Sequence, residues 1–286
     1  MKTTKTFLQK MIRLSYGEQI PKSSLKGELL LKMVNDGAII MIPHGSKGYY
    51  AAKDIKSFRN YLNGIFNTDD LEALAEMMGK NEVSRAEQTR LTGNSKTKRQ
   101  RTFKGFLVNC YDPIKAKLGN REITINPETG TFTFIYEYES FQIPPEIVVI
   151  GIENSENFRF IERQKYLFDK FLKPDERAIF VNRYPTDQTD DLRKWLMAIP
   201  NKYIHFGDLD LKGVDIYLNT FFTYLGEKSS FLIPNDAEER IRSGDSNRYN
   251  VQYRPNEGKT KDPRVQPLLD LIHKYHKGYD QEGFIE

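Results

Sequence analysis

The chain has one cysteine, one tryptophan and four histidines in 286 residues. A single cysteine, Cys110, excludes an internal disulfide framework and any cysteine-rich zinc site. No stretch approaches the roughly 18 consecutive apolar residues of a membrane-spanning helix. The opening MKTTKTFLQKM carries charge but no apolar segment of the kind that marks a secretory signal. There is no internal repeat and no low-complexity tract. The expectation is a soluble protein of the reducing cytoplasm, with Cys110 a small half-buried side chain rather than a nucleophile. What is present is ample: 38% hydrophobic and 29% charged residues at a mean hydropathy of −0.62. The length is enough for about two domains.

The net charge of +4 is unevenly spread. Residues 1–66 carry 11 Lys and Arg against 4 Asp and Glu, residues 67–145 carry 11 of each, and residues 146–286 carry 21 against 24. A basic front end on a slightly acidic back end predicts one domain that touches an anion and another that does something else.

The front end, 1–66, reads helix, helix, hairpin, helix. Apolar positions Phe7, Leu8, Met11, Ile12 and Leu14 recur at helical spacing, as do Leu25, Leu29, Leu30, Met33 and Val34. Residues 38–42 and 49–52 read as strands around a glycine-bearing turn, and 53–66 as a third helix. That order predicts a winged helix-turn-helix with its recognition helix over 25–36 and a wing at 43–48. Lys22, Lys26 and Lys32 belong to or flank the recognition helix, and Lys47 lies in the wing. Lysines neutralise phosphates and give salt-dependent, largely sequence-blind binding. No Arg or Asn in this helix suits bidentate base readout. A winged helix used only to brace another protein is the alternative.

Residues 67–143 read as a connector: two helices near 69–78 and 82–91, a basic stretch holding Lys98, Arg99 and Arg101, and a β-hairpin around the turn at 127–130. From 144 to 286 the pattern becomes strand, helix, strand, helix. The apolar runs 146–154, 177–182, 201–210 and 229–234 predict four buried parallel strands with helices between them. Residues 235–264 read as a polar stretch and 265–276 as a helix.

Two of those strands end in acids: Glu153 closes the first, and Asp208 and Asp210 close the third, bracketed by Gly207 and Gly213. In such sheets ligands bind beyond the carboxyl ends of the strands. Three carboxylates brought to one sheet edge are hard oxygen ligands suited to Mg²⁺ or Mn²⁺. Without a cation they would repel one another. Lys212, Glu156 and Asp215 read as surface charges. His205, Trp195 and the aromatics of 132–138 and 221–224 read as core, and His273 and His276 as surface residues.

Glu at one strand end and Asp-x-Asp about 55 residues later at another resembles the Toprim domain of topoisomerases, primases and several nucleases. IGIENSENF and HFGDLDLKGVDIY resemble more closely the JetD nuclease subunits of Wadjet plasmid-defence systems, with Phe206 where that family has Trp. LIHKYHKGYDQEGFIE resembles that family's C-terminal helix and Gln-Glu pair, which implies that Gln281 and Glu282 lie near the site. The resemblance implies a metal-dependent endonuclease acting on double-stranded DNA, active as a homodimer, with an SMC-type defence complex as partner. It implies Glu153, Asp208 and Asp210 as metal ligands, Glu282 as a further catalytic acid, and Asn154 as the residue that orients Glu153. Two alternatives stay open. A winged helix ahead of a Toprim domain is also the order in the topoisomerase VI A subunit, whose tyrosine attacks the phosphodiester, and here Tyr49 and Tyr50 form a tandem pair. A non-catalytic DNA-binding scaffold is the other.

Overall fold

The computed structural model describes residues 3–45, 47–99, 103–182, 189–254 and 260–286. The chain is mixed α/β and divides into two compact units, 1–102 and 103–286. The boundary differs from the three segments read in the sequence. Residues 67–102 join the first unit and 103–143 the second, because the connector's apolar residues are spent on the cores of its neighbours.

The first unit runs α1 (Lys5–Ser15), β1 (Ile20–Pro21), α2 (Glu28–Asn35), β2 (Ile39–His44), β3 (Lys47–Ala52), α3 (Ile55–Phe66), α4 (Leu71–Gly79) and α5 (Arg85–Thr92). Helix starts are set by side-chain caps: Thr4, Asp54, Asp70 and Ser84 each accept from a backbone amide of the first turn. β1, β3 and β2 form an antiparallel sheet in that order. Met11, Leu14, Leu30, Met33, Phe58 and Leu62 are buried beneath it. A second cluster of Leu8, Leu74, Ala75, Met77 and Val83 packs α4 onto α1. The second helix starts at Glu28 rather than 25, since 22–24 form a separate 3₁₀ turn.

The second unit opens with β4 (Phe106–Cys110), β5 (Ile114–Leu118), β6 (Arg121–Ile125), β7 (Thr133–Ile135) and β8 (Phe141–Gln142). The hairpin expected around 127–130 does not form. β6 instead pairs with β5 across the two-residue Gly119–Asn120 turn, where Gly119 has φ +59°. β7 pairs with β4 in a different sheet. The chain continues through β9 (Val148–Ile152), α6 (Ser155–Arg159), α7 (Lys165–Phe168), β10 (Ala178–Asn182), α8 (Thr189–Ala198), β11 (Tyr203–Phe206) and α9 (Leu211–Ile216). α9 runs through a π-helical stretch, Tyr217–Phe222, into α10 (Thr223–Leu225), then β12 (Ser229–Phe231), α11 (Ala237–Ser243), α12 (Ser246–Gln252) and α13 (Gln266–Tyr275). α11 and α12 occupy the stretch read as polar.

The main sheet has the order β12-β11-β9-β10-β4-β7. The four strands from β9 on are parallel, and β4 and β7 extend the sheet antiparallel. β9 and β10 are buried at every position, as expected of strands covered on both faces. Trp195 is locked in the core, donating to the Phe141 carbonyl at 2.8 Å and stacking on its ring. Cys110 is 6% exposed, and burial pushes its thiol up to about 11. No helix among the described residues is long and apolar enough to cross a membrane.

Candidate functional site

β9 leaves the sheet through α6 toward β10, while its neighbour β11 leaves through α9 toward β12 on the opposite side. Between two such strands the chain diverges and leaves a crevice at their carboxyl ends. Glu153 follows β9 directly, and its amide extends the ladder by donating to the Phe206 carbonyl at 3.1 Å. Asp208 and Asp210 follow β11. The Glu153 carboxylate lies against the turn at Gly207, where a Cβ would stand 3.0 Å from both Glu153 Oε2 and His205 Nε2. Glycine at this position gives the carboxylate its space.

Asp210 is 1% exposed and caps α9: its Oδ1 accepts from the Gly213 amide at 2.7 Å and its Oδ2 from Gln252 Nε2 at 2.7 Å. Asp208 Oδ1 accepts from the Gln281 amide at 2.8 Å. Burial, with Asp210 and Glu153 adding repulsion, pushes the Asp208 carboxyl up to about 6 against the pull of the Gln281 amide and Arg248. The shift is the signature of acids crowded into a partly desolvated place.

The C-terminal segment ties the crevice together. Gln281, fully buried, accepts from the Asn154 amide at 2.8 Å and donates to the Phe206 carbonyl at 2.6 Å, so one side chain bridges the ends of β9 and β11. Asn154 caps α6 by accepting from Glu156 and Asn157, and donates to Glu282 Oε1 at 2.6 Å. Asn154 thus orients Glu282 directly and holds the backbone beside Glu153. Leu209 and Tyr279 form a short antiparallel bridge that places 277–282 over the site. Gly278 permits this approach, since a Cβ there would be 2.6 Å from the Asp210 Cβ.

Three participants were not legible as such. Arg248 on α12 sets Nη1 3.4 Å from Asp208 Oδ2 and 3.6 Å from Asp210 Oδ2, with Nη2 2.6 Å from Asp280 Oδ1. Burial works against the Arg248 charge, and Asp280, Asp208 and Asp210 more than offset it. Gln252 lies one helical turn further along α12. His205, read as core, is buried as expected, but its ring also faces the site. Its Nδ1 shares a 3.0 Å hydrogen bond with the Tyr203 hydroxyl and its Nε2 lies 3.8 Å from Glu153 Oε2.

Glu153, Asn154, Asp208, Asp210 and Glu282 therefore converge on one crevice. Among the described residues no group of three or more His, Cys, Asp or Glu is arranged to hold a metal ion. The donor set itself fits a hard divalent cation: it offers oxygen ligands only, and burial together with repulsion from Asp210 and Glu153 raises Asp208. In the present arrangement Arg248 offsets part of that negative charge. Lys212 pairs with Asp215 at 2.8 Å and stays on the surface.

In the first unit Lys22, Lys26 and Lys47 line one groove of about 540 Å³ together with Tyr49. Lys32 lies outside that lining and is paired with Asp36 at 2.7 Å. Lys98 is a structural residue rather than a free cation: its ammonium donates to the Met78 and Lys80 carbonyls at the end of α4. Arg99 is exposed, and Arg101 lies outside the described residues. Tyr50 is buried in the core, which leaves Tyr49 as the accessible member of the pair.

The chain matches no known protein family and no curated protein.

Proposed function

We propose that the chain is a metal-dependent DNA endonuclease of the Toprim type, hydrolysing phosphodiesters in double-stranded DNA. The observation that carries this reading is the meeting of Glu153 from β9 with Asp208 and Asp210 from β11 at the divergence of two parallel strands, with Asp208 raised to about 6. Crowded carboxylates that destabilise one another are retained where a cation or a proton is part of the work.

Glu153, Asp208 and Asp210 would hold Mg²⁺ or Mn²⁺. Such an ion, when bound, polarises the phosphodiester and makes water more acidic. Glu153 takes the proton from the attacking water as the water oxygen bonds to phosphorus and one P–O ester bond breaks. Gln281 and Asn154 keep the ends of β9 and β11 in register, and Asn154 holds Glu282 beside the site as a further acid, with water protonating the departing oxygen. The first unit serves as a winged helix whose Lys22, Lys26 and Lys47 bind the DNA backbone, with weak sequence preference. One chain carries one such site, so cutting both strands takes a homodimer, and a sedimentation mass of one chain would sink that part of the reading. The JetD-like motifs make an SMC-type complex the partner that would deliver the DNA.

The test is cleavage of supercoiled circular DNA with Mg²⁺ or Mn²⁺ by the chain and by an Asp208→Ala, Asp210→Ala double variant, run on denaturing gels with and without protease. Metal-dependent nicks or linear product, absent in the variant and free of protein, are expected. Ends carrying covalent protein would instead point to Tyr49 as a nucleophile. No cleavage together with no Mn²⁺ binding would leave a DNA-binding scaffold.

A further inference from the structure

Arg248 reaches three carboxylates at once, and two of them are the proposed ligands Asp208 and Asp210. A guanidinium 3.4 Å from one and 3.6 Å from the other occupies the electrostatic place that a divalent cation would take. Two cations cannot share it, because like charges at such separations repel by several kcal/mol at protein-like screening. The helix that carries Arg248 is also held through Gln252. Gln252 donates to Asp210 Oδ2 at 2.7 Å and accepts from the Lys212 amide at 3.0 Å. The arginine side chain is 36% exposed, whereas Asp210 is 2% exposed. The guanidinium can therefore swing toward solvent while the backbone of α12 stays in place. A guanidinium released beside the crevice mouth is a planar five-donor group with the geometry to pair with a phosphate.

We propose that Arg248 is a substrate-binding residue of this site: it neutralises Asp208 and Asp210 until a divalent cation displaces it, and then pairs with the phosphate of the bound nucleic acid. The inference rests on the metal-dependent reading given above. Asp280, whose Oδ1 lies 2.6 Å from Nη2, holds the guanidinium close by, so that the exchange is a short swing.

The experiment compares the full chain with Arg248→Gln and Arg248→Lys. Mn²⁺ binding is measured by calorimetry, and binding of a short DNA duplex by fluorescence anisotropy with saturating Ca²⁺ as a non-cleaving cation. Far-ultraviolet circular dichroism and melting confirm that each variant folds. Arg248→Gln should bind Mn²⁺ about fivefold more tightly, the size of a half-exposed ion pair, and the duplex about tenfold more weakly. Arg248→Lys should fall between the two. Unchanged or weaker Mn²⁺ binding, or unchanged DNA binding, in Arg248→Gln overturns the exchange while leaving the nuclease reading intact. Failure of the unsubstituted chain to bind Mn²⁺ at all removes both.

Discussion

The Gln281 amide donates to Asp208 Oδ1 at 2.8 Å across 73 residues of sequence, and the same residue's side chain spans from the Asn154 amide to the Phe206 carbonyl. A C-terminal residue thus sets the geometry of an acid placed by the third strand of the parallel sheet.

Gln281→Leu should destabilise the second unit by about 2 kcal/mol, because it leaves the part-buried Asn154 amide without a partner and removes one of the two donors to the Phe206 carbonyl. Trp195, the sole tryptophan, is buried in that unit and reports its unfolding in urea. An unchanged midpoint would show that water replaces the side chain without cost.

Stability should depend on pH through Asp208. Its folded pKa of about 6 lies above the ordinary 3.8. Between those values the folded chain keeps a proton that the unfolded chain releases, so the contribution of Asp208 to stability falls as pH rises through the window. Asp208→Asn should therefore unfold later than the parent above pH 6, by on the order of 1–2 kcal/mol, with the gap closing near pH 4. A gap that is the same at pH 4 and pH 8 would refute the raised Asp208 carboxyl.

Gly207→Ala adds a methyl 3.0 Å from Glu153 Oε2 and His205 Nε2. The carboxylate must then move. Mn²⁺ affinity should fall about tenfold, the usual scale for disturbing the setting of a metal ligand, with little change in the urea midpoint. Equal affinity in calorimetry would remove Glu153 from the ligand set.

Charge removal in the first unit should separate the lysines. Each of Lys22→Ala, Lys26→Ala and Lys47→Ala should lower the slope of log affinity against log salt by about one. Lys32→Ala and Lys98→Ala should change it less, since Asp36 and the end of α4 already engage those ammonium groups. Anisotropy titrations over a range of KCl concentrations decide it, and five equal slopes would show that the groove is not the contact surface.

The amino-acid sequence by itself determined the four buried parallel strands and the positions of Glu153, Asp208 and Asp210 at strand ends. Apolar runs, cap residues and glycine turns are local signals, and their physics acts within a few residues. The Gly119–Asn120 turn that pairs β6 with β5 is likewise local, but only the tertiary structure decided that β7 pairs with β4 in a different sheet, because either partner satisfies the same alternating pattern. It likewise decided that Lys98 caps α4 and that α12 exists as a site element. α12 contributes a single buried residue, Tyr249, so hydrophobic periodicity barely marks it. Arg248 and Gln281 meet acids 40 and 73 residues away. Such meetings depend on how the elements pack around the crevice, and no local pattern encodes them.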